Sequence, residues 1–130
     1  MSESKRILIV EDEPVGQIVI TGMLSNLGYK ADMASSGIEA IKYCEEKHYD
    51  VIFMDCLMPG MDGFEATTKI REIETRKQRF NASIIIALTA KALTGDREHC
   101  LAAGMDEYLA KPLELKQLKE MLDKYMPGGN

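Results

Sequence analysis

Short apolar runs alternate with amphipathic stretches along the whole chain. Ile7-Leu8-Ile9-Val10, Val51-Ile52-Phe53-Met54 and Ile84-Ile85-Ile86-Ala87-Leu88 are continuously apolar and rich in β-branched residues. They are too short for helices and predict strands buried on both faces. Segments 30–34 and 107–110 are more mixed and predict strands at sheet edges. A helix is expected over 14–27, with Pro14 in its first turn and Gly28 as its stop. Ser36 and Glu39 have capping-box spacing for a second helix, to about residue 47. Asp62 and Glu65 suit the start of a third, with Phe64, Ile70 and Ile73 as its apolar stripe. A fourth spans 93–103 and ends at Gly104. The fifth carries Leu115, Leu118, Leu122 and Tyr125 at helical spacing and stops before Pro127.

A strand followed by a helix, five times over, predicts a parallel sheet with helices on both faces. The three apolar strands take its centre and the mixed ones its edges. With right-handed crossovers the order is 2-1-3-4-5. The topological switch point then lies between strands 1 and 3, beyond their carboxyl ends, where open α/β sheets bind ligands.

Composition narrows the partners. The chain has 130 residues, 45% apolar and 28% charged, with a net charge of −5. That suits one domain and argues against a nucleic-acid surface. No apolar stretch reaches a membrane span, and MSESKR lacks the apolar core of a signal peptide. Cys44, Cys56 and Cys100 show no metal spacing and read as reduced, buried thiols of a cytoplasmic protein. His48 and His99 lie far apart and are not expected to do chemistry. Residues 1–4 and 127–130 read as loose termini. The nine methionines read as core filler, with Met58 and Met61 expected beside the turn after strand 3, excluding water. The mixed charges of residues 71–79 read as a solvated helix end.

Candidate chemistry gathers where the strands end. Strand 1 is followed by Glu11, Asp12 and Glu13, strand 3 by Asp55, strand 4 by Thr89 and Ala90, and strand 5 by Lys111 and Pro112. Each alone is an ordinary cap, loop or turn residue. Together they bring three carboxylates, a hydroxyl and an ammonium to one crevice. Two carboxylates about 4 Å apart repel by roughly 4 kcal/mol at an effective dielectric of 20. Lys111 offers one compensating charge, so the site calls for a hard divalent ion such as Mg²⁺, which leaves coordination positions open for phosphate oxygens. A central carboxylate can itself be the nucleophile and become an aspartyl phosphate.

The motifs VEDEP, VIFMDCLMPGMDG, ALTA and YLAKPL, in this order and spacing, resemble those of the response-regulator receiver domain. The resemblance covers residues 5–126. MDGFEATTKIRE and GDREHCLAAGMDEYLAKPL are especially similar to receivers of hybrid sensor kinases and phosphorelays. It implies a (βα)5 flavodoxin-like, three-layer α/β sandwich. It implies Asp55 as phosphoacceptor and Mg²⁺, with Mn²⁺ as an alternative, held by Asp12, Asp55 and the Leu57 carbonyl, with Glu11 acting through water. Thr89 would be the switch hydroxyl, Tyr108 the switch aromatic and Lys111 the phosphoryl contact, aimed by a cis peptide before Pro112. The partners implied are a histidine kinase or histidine phosphotransfer domain upstream, and effector or kinase domains downstream. Nucleic-acid contact and membrane insertion are not expected. A monomer is expected before phosphorylation, with a dimer after it as the alternative. The domain would catalyse its own aspartyl phosphorylation and a slow dephosphorylation, alone or as part of a hybrid histidine kinase.

The chain departs from the family at Leu57, where many relatives carry Asn or Gln. Its carbonyl still serves a metal, but its side chain cannot orient a hydrolytic water, and Lys91 is no general base. A long-lived phospho-form is the expectation. Gly16 stands where relatives often have Asn, a change expected to touch partner contacts rather than chemistry. Other classes fit less well. An aspartyl phosphohydrolase calls for a second acid at position 57. A flavin or nucleotide carrier calls for a Gly-rich loop after strand 1. A phosphate-independent interaction module leaves the acid cluster unexplained.

Overall fold

The structure, a computed structural model, describes residues 5–90 and 94–127. The N-terminal tail, residues 128–130, Lys91 and the start of the fourth helix at Leu93 therefore lie outside the described residues. Five strands and five helices alternate: β1 (Ile7–Val10), α1 (Pro14–Asn26), β2 (Asp32–Ala34), α2 (Gly37–Glu46), β3 (Val51–Asp55), α3 (Gly63–Arg76), β4 (Ile84–Thr89), α4 (Thr94–Ala103), β5 (Glu107–Ala110) and α5 (Leu115–Tyr125). The strands form one parallel sheet in the order 2-1-3-4-5, as the pattern predicts.

The period of two along each strand divides the core. Leu8, Val10, Ile52, Met54, Ile85 and Ala87 pack with Ala40, Cys44, Ala66, Ile70 and Cys100, under α2, α3 and α4. Ile7, Ile9, Val51, Phe53, Ile86 and Leu88 pack with Ile20, Leu24, Leu118 and Leu122, under α1 and α5. Every residue of β1 and β3 is buried, which explains their unbroken apolar character. Removing one such side chain from water contributes about 1.5–3 kcal/mol. All three cysteines are buried thiols, and burial pushes Cys44 up to about 12.

Differences from the sequence pattern are local. Asp55 and Thr89 are the last residues of β3 and β4 rather than the first of their loops. Each is still held by one ladder partner, Asp55 opposite Leu88 of β4 and Thr89 opposite Ala110 of β5. β2 is shorter than the apolar pattern suggests, and begins at Asp32. The Ser36 hydroxyl caps α2 by accepting from the Glu39 N–H, but Glu39 returns its bond to the Ser35 N–H, one residue early. Asp62 accepts from the Glu65 N–H at the start of α3. Gly63 lets that helix press on β3: a Cβ there would lie 2.2 Å from the Asp55 carbonyl oxygen.

Two expectations are overturned. Residues 71–79 are not simply a solvated helix end. Arg71 donates to the Gly104 and Ser83 carbonyls and to the carboxylates of Glu74 and Asp106. Glu74, 6% exposed, also accepts from the Ser83 N–H. Each charge is satisfied by fixed partners, so Glu74 can be buried beside a half-buried Arg71. Met58 and Met61 do not line the cleft beside Asp55; they pack into the core under α2–α4. The proline turn sends them there.

Candidate functional site

Glu11, Asp12, Asp55, Thr89 and Lys111 come from four separate stretches and reach the carboxyl edge of the sheet. A cleft of about 390 Å³ opens there, lined by Glu11, Val15, Asp55, Leu57, Thr89 and Lys111 among others. Glu11 leaves β1 with its N–H donating to the Ala34 carbonyl, and its side chain is 2% exposed. Lys111 leaves β5 with its N–H donating to the Thr89 carbonyl, and the Lys111–Pro112 peptide is cis. Lys111 Nζ then lies 2.9 Å from Glu11 Oε1 and 3.3 Å from Asp55 Oδ2.

The carboxylates differ in what they already hold. Glu11 takes the Lys111 ammonium and, through Oε2, the Glu13 N–H at 3.2 Å. Asp55 takes the Leu57 N–H through Oδ1 at 3.1 Å. Burial opposes charge on Glu11, but Lys111, Asp55 and the Glu13 N–H outweigh it and hold Glu11 below the usual carboxylate range. On Asp55, burial and then the Glu11 carboxylate push the pKa up to about 7, against the smaller pull of Lys111 and the Leu57 N–H. Burial works to neutralise Lys111, yet the two carboxylates raise its pKa. The environment has driven Glu11 and Asp55 apart, as in sites where paired acids take different roles.

Asp12 completes the set. One oxygen each from Glu11, Asp12 and Asp55 lie within 4.8 Å of one another. Asp12 Oδ1 is buried without a hydrogen-bond partner. A buried carboxylate oxygen left that way costs free energy unless a cation claims it. Oxygen-only donors converging with a spare lone pair fit a hard divalent ion. The site residues expected from the sequence are thus brought together, except Tyr108. That ring lies partly buried against the α2–α4 side of the core, and its Cα pairs with Ala87, two residues before Thr89. Cys56 faces the same core, opposite to Asp55's face of β3. Leu57 is 66% exposed at the cleft. Sequence reasoning missed how closely Glu11 lies against α1: an added Cβ on Gly16 would meet Glu11 Oε1 at 2.7 Å. No periodicity or motif signals such a contact.

Fold and site together define a flavodoxin-like α/β protein whose switch-point crevice gathers three acids suited to a divalent cation. The family model for the response regulator receiver domain matches residues 7–123. The chain belongs to that family. It is 40% identical, over 97% of its length, to a segment of hybrid signal transduction histidine kinase G of Dictyostelium discoideum. It spans only 4% of that protein, and 16% and 7% of two other histidine kinases it matches. It is also similar to the crystal structure of the receiver domain of sensor histidine kinase PA1611 from Pseudomonas aeruginosa PAO1, with magnesium coordinated in the active-site cleft. The two are 46% identical with a TM-score of 0.82, covering 95% of this chain and 98% of that one. The receiver domain of Ssk1, crystallised with the histidine phosphotransfer protein Ypd1 of Saccharomyces cerevisiae, is 31% identical with a TM-score of 0.85. That match covers 94% of this chain and 88% of that one. Among the described residues no helix is long and apolar enough to cross a membrane.

Proposed function

We propose that residues 5–126 act as a phosphoacceptor unit that takes a phosphoryl group from a partner phosphohistidine onto Asp55. The observation that carries this reading is the pairing of a strand-end carboxylate, Asp55, with an unsatisfied acid, Asp12, and an ammonium, Lys111, in one cleft. An Asp55 carboxylate oxygen attacks phosphorus, the P–N bond breaks, and the imidazole nitrogen leaves with the bonding pair. Asp55 must be ionised to attack, and Lys111 favours that form. Asp12, Asp55 and the Leu57 carbonyl would hold Mg²⁺ directly and Glu11 through water; the ion supplies positive charge for the phosphoryl oxygens. Lys111 contacts the transferred group from the other side. Catalysis of this kind is mainly positioning and charge compensation.

The phosphorylated carboxylate then biases the fold. The group adds about 1.5 to 2 negative charges. Thr89 donates to it, and the Tyr108 ring follows into the space behind. A swing from 1:99 to 99:1 needs roughly 5.5 kcal/mol, more than one charge-assisted hydrogen bond of about 1.5–3 kcal/mol provides. Lys111 and the repacked ring contribute the rest. The surface of α4, β5 and α5 carries the output. Support for a phosphotransfer partner comes from the cleft, where Val15 and Leu57 line the wall at 72% and 66% exposed, and Ile18, three residues on from Val15 in α1, is also 72% exposed. Such an apolar rim suits a helical partner that brings its histidine over Asp55. The unit is proposed to be cytoplasmic and monomeric before phosphorylation.

Incubation with acetyl phosphate and Mg²⁺, followed by intact mass, tests the reading. One phosphoryl adduct on the native protein, lost in Asp55→Asn, is expected. No adduct on the native protein, or one retained by the variant, overturns it.

A further inference from the structure

We infer that Gln17 is a positioning residue for this site: its side-chain amide pins the peptide between Glu11 and Asp12 and ties it to the turn before α2, which rests on the loop after Asp55. The inference rests on the reading of the three acids as a divalent-cation site.

Gln17 lies near the start of α1. Its Nε2 donates to the Glu11 main-chain carbonyl at 2.7 Å and to the Ser35 hydroxyl oxygen at 3.2 Å. A primary amide has two N–H donors, and both are used. A carbonyl only accepts, so the amide nitrogen rather than its oxygen faces Glu11. That carbonyl belongs to the planar peptide joining Glu11 to Asp12. The Glu11 N–H is held as well, by the Ala34 carbonyl. With the main chain of Glu11 fixed at both ends, the direction in which Asp12 leaves is fixed too.

Ser35 passes the restraint on. Its N–H donates to Glu39 Oε1 at 3.0 Å, and the neighbouring Ser36 hydroxyl caps α2. Gly37, the first residue of α2, then presses on the loop after β3. A Cβ there would lie 3.0 Å from Met61 Cγ and 3.1 Å from the Met61 carbonyl oxygen. The same loop carries Leu57, whose N–H donates to Asp55 Oδ1. The turn at residues 35–37 therefore bridges the ends of β1 and β3, which supply all three acids of the cluster. Gln17 is the polar strut on one side of this bridge, and the contact of Gly37 with Met61 is the apolar seat on the other. Carboxylates so close repel one another, and a fixed main chain keeps them convergent before an ion arrives.

The test is a Mg²⁺ titration with no phosphodonor, followed by calorimetry and amide NMR. Four proteins are compared: native, Gln17→Met, Ser35→Ala and the double variant. Methionine matches glutamine in length but offers no N–H. Gln17→Met is expected to weaken Mg²⁺ binding severalfold, short of the roughly tenfold or more that follows loss of a contact to a metal ligand itself. Ser35→Ala should weaken it less, because the Glu11 carbonyl keeps its donor. The double variant should bind about as Gln17→Met does, since the strut is already cut. Mg²⁺ should shift the amide resonances of Ser36 and Gly37 in the native protein. In Gln17→Met those shifts should shrink strongly while that of Leu57 remains. Affinity within about twofold of native in Gln17→Met, or shifts of native size at Ser36 and Gly37, overturns the inference. Ser35→Ala, at an exposed position, gives the same reading of the shifts if Gln17→Met does not fold. A native protein that binds no Mg²⁺ sinks the cation-site reading and this inference with it. Binding that Gln17→Met leaves intact sinks the inference alone.

Discussion

Lys111 Nζ lies 2.9 Å from Glu11 Oε1, across one hundred residues of chain and with β3 and β4 between their strands in the sheet. The lysine compensates two carboxylates at once, since Asp55 Oδ2 is 3.3 Å away. Lys111→Met should therefore lower stability in metal-free buffer by about 1–2 kcal/mol. The loss stays below that of a fully buried pair because Asp55 can take up a proton. Urea unfolding of both proteins at pH 7 measures it, and no loss would mean the pair is solvated.

Asp55 makes stability fall as pH rises. Its carboxyl is raised to about 7 in the folded chain, against about 4 when unfolded. Between those values the unfolded chain has released the proton and the native one keeps it, so unfolding gains on the alkaline side. Metal-free stability should decline from about pH 4 to pH 7 and then level. Glu11 opposes this only at more acid pH, since its lowered pKa gives stability that is lost as pH falls through it. Asp55→Asn should flatten the decline and raise stability at pH 8, by on the order of 1–2 kcal/mol. Unfolding midpoints across the pH range decide it.

Thr89→Ala separates receipt of the phosphoryl group from its consequence. The variant should still form the Asp55 adduct, because the hydroxyl is not the nucleophile. Its Tyr108 ring resonances should stay where they are in the unphosphorylated protein. A native-like shift of Tyr108 in phosphorylated Thr89→Ala would refute the coupling.

Leu57 bears on persistence. An exposed leucine at the cleft neither donates nor accepts a hydrogen bond to an attacking water. The phospho-form should last minutes or longer in Mg²⁺ buffer, and Leu57→Gln should shorten it several-fold. Adduct decay followed by intact mass gives both rates; decay within seconds in the native protein contradicts the expectation.

Arg71 should matter to stability and not to the site. Arg71→Ala strands the buried Glu74 and two carbonyls, Ser83 and Gly104. The expected cost is about 3 kcal/mol, with Mg²⁺ affinity unchanged within about twofold. Chemical unfolding and a Mg²⁺ titration check the two halves.

Most of the fold was legible because the relevant signals are local. β1, β3 and β4 announce themselves by unbroken apolar runs, and a strand buried on both faces cannot look otherwise. The edge strand β2 was read too long because Lys30 and Ala31 carry no boundary signal. Arg71 was misread because three of its four partners lie 12 to 35 residues away, and nothing in a run of mixed charge marks one guanidinium for them. Met58 and Met61 were expected to keep water from the site and instead pack into the core, because a turn's path is not written in apolar content.

The sequence by itself determined the alternation of strands and helices, the order of the sheet and the identity of the acids, hydroxyl and lysine at its carboxyl edge. Periodicity and strand ends are properties of neighbouring residues, so they survive without coordinates. Only the tertiary structure decided how those groups divide their partners: Glu11 bound by Lys111, Asp12 left with a bare oxygen, Asp55 pushed towards neutrality. It alone showed how closely Glu11 lies against Gly16. Electrostatic and steric forces act through space over a few ångströms, and residues 11, 55 and 111 become neighbours only when the sheet is assembled.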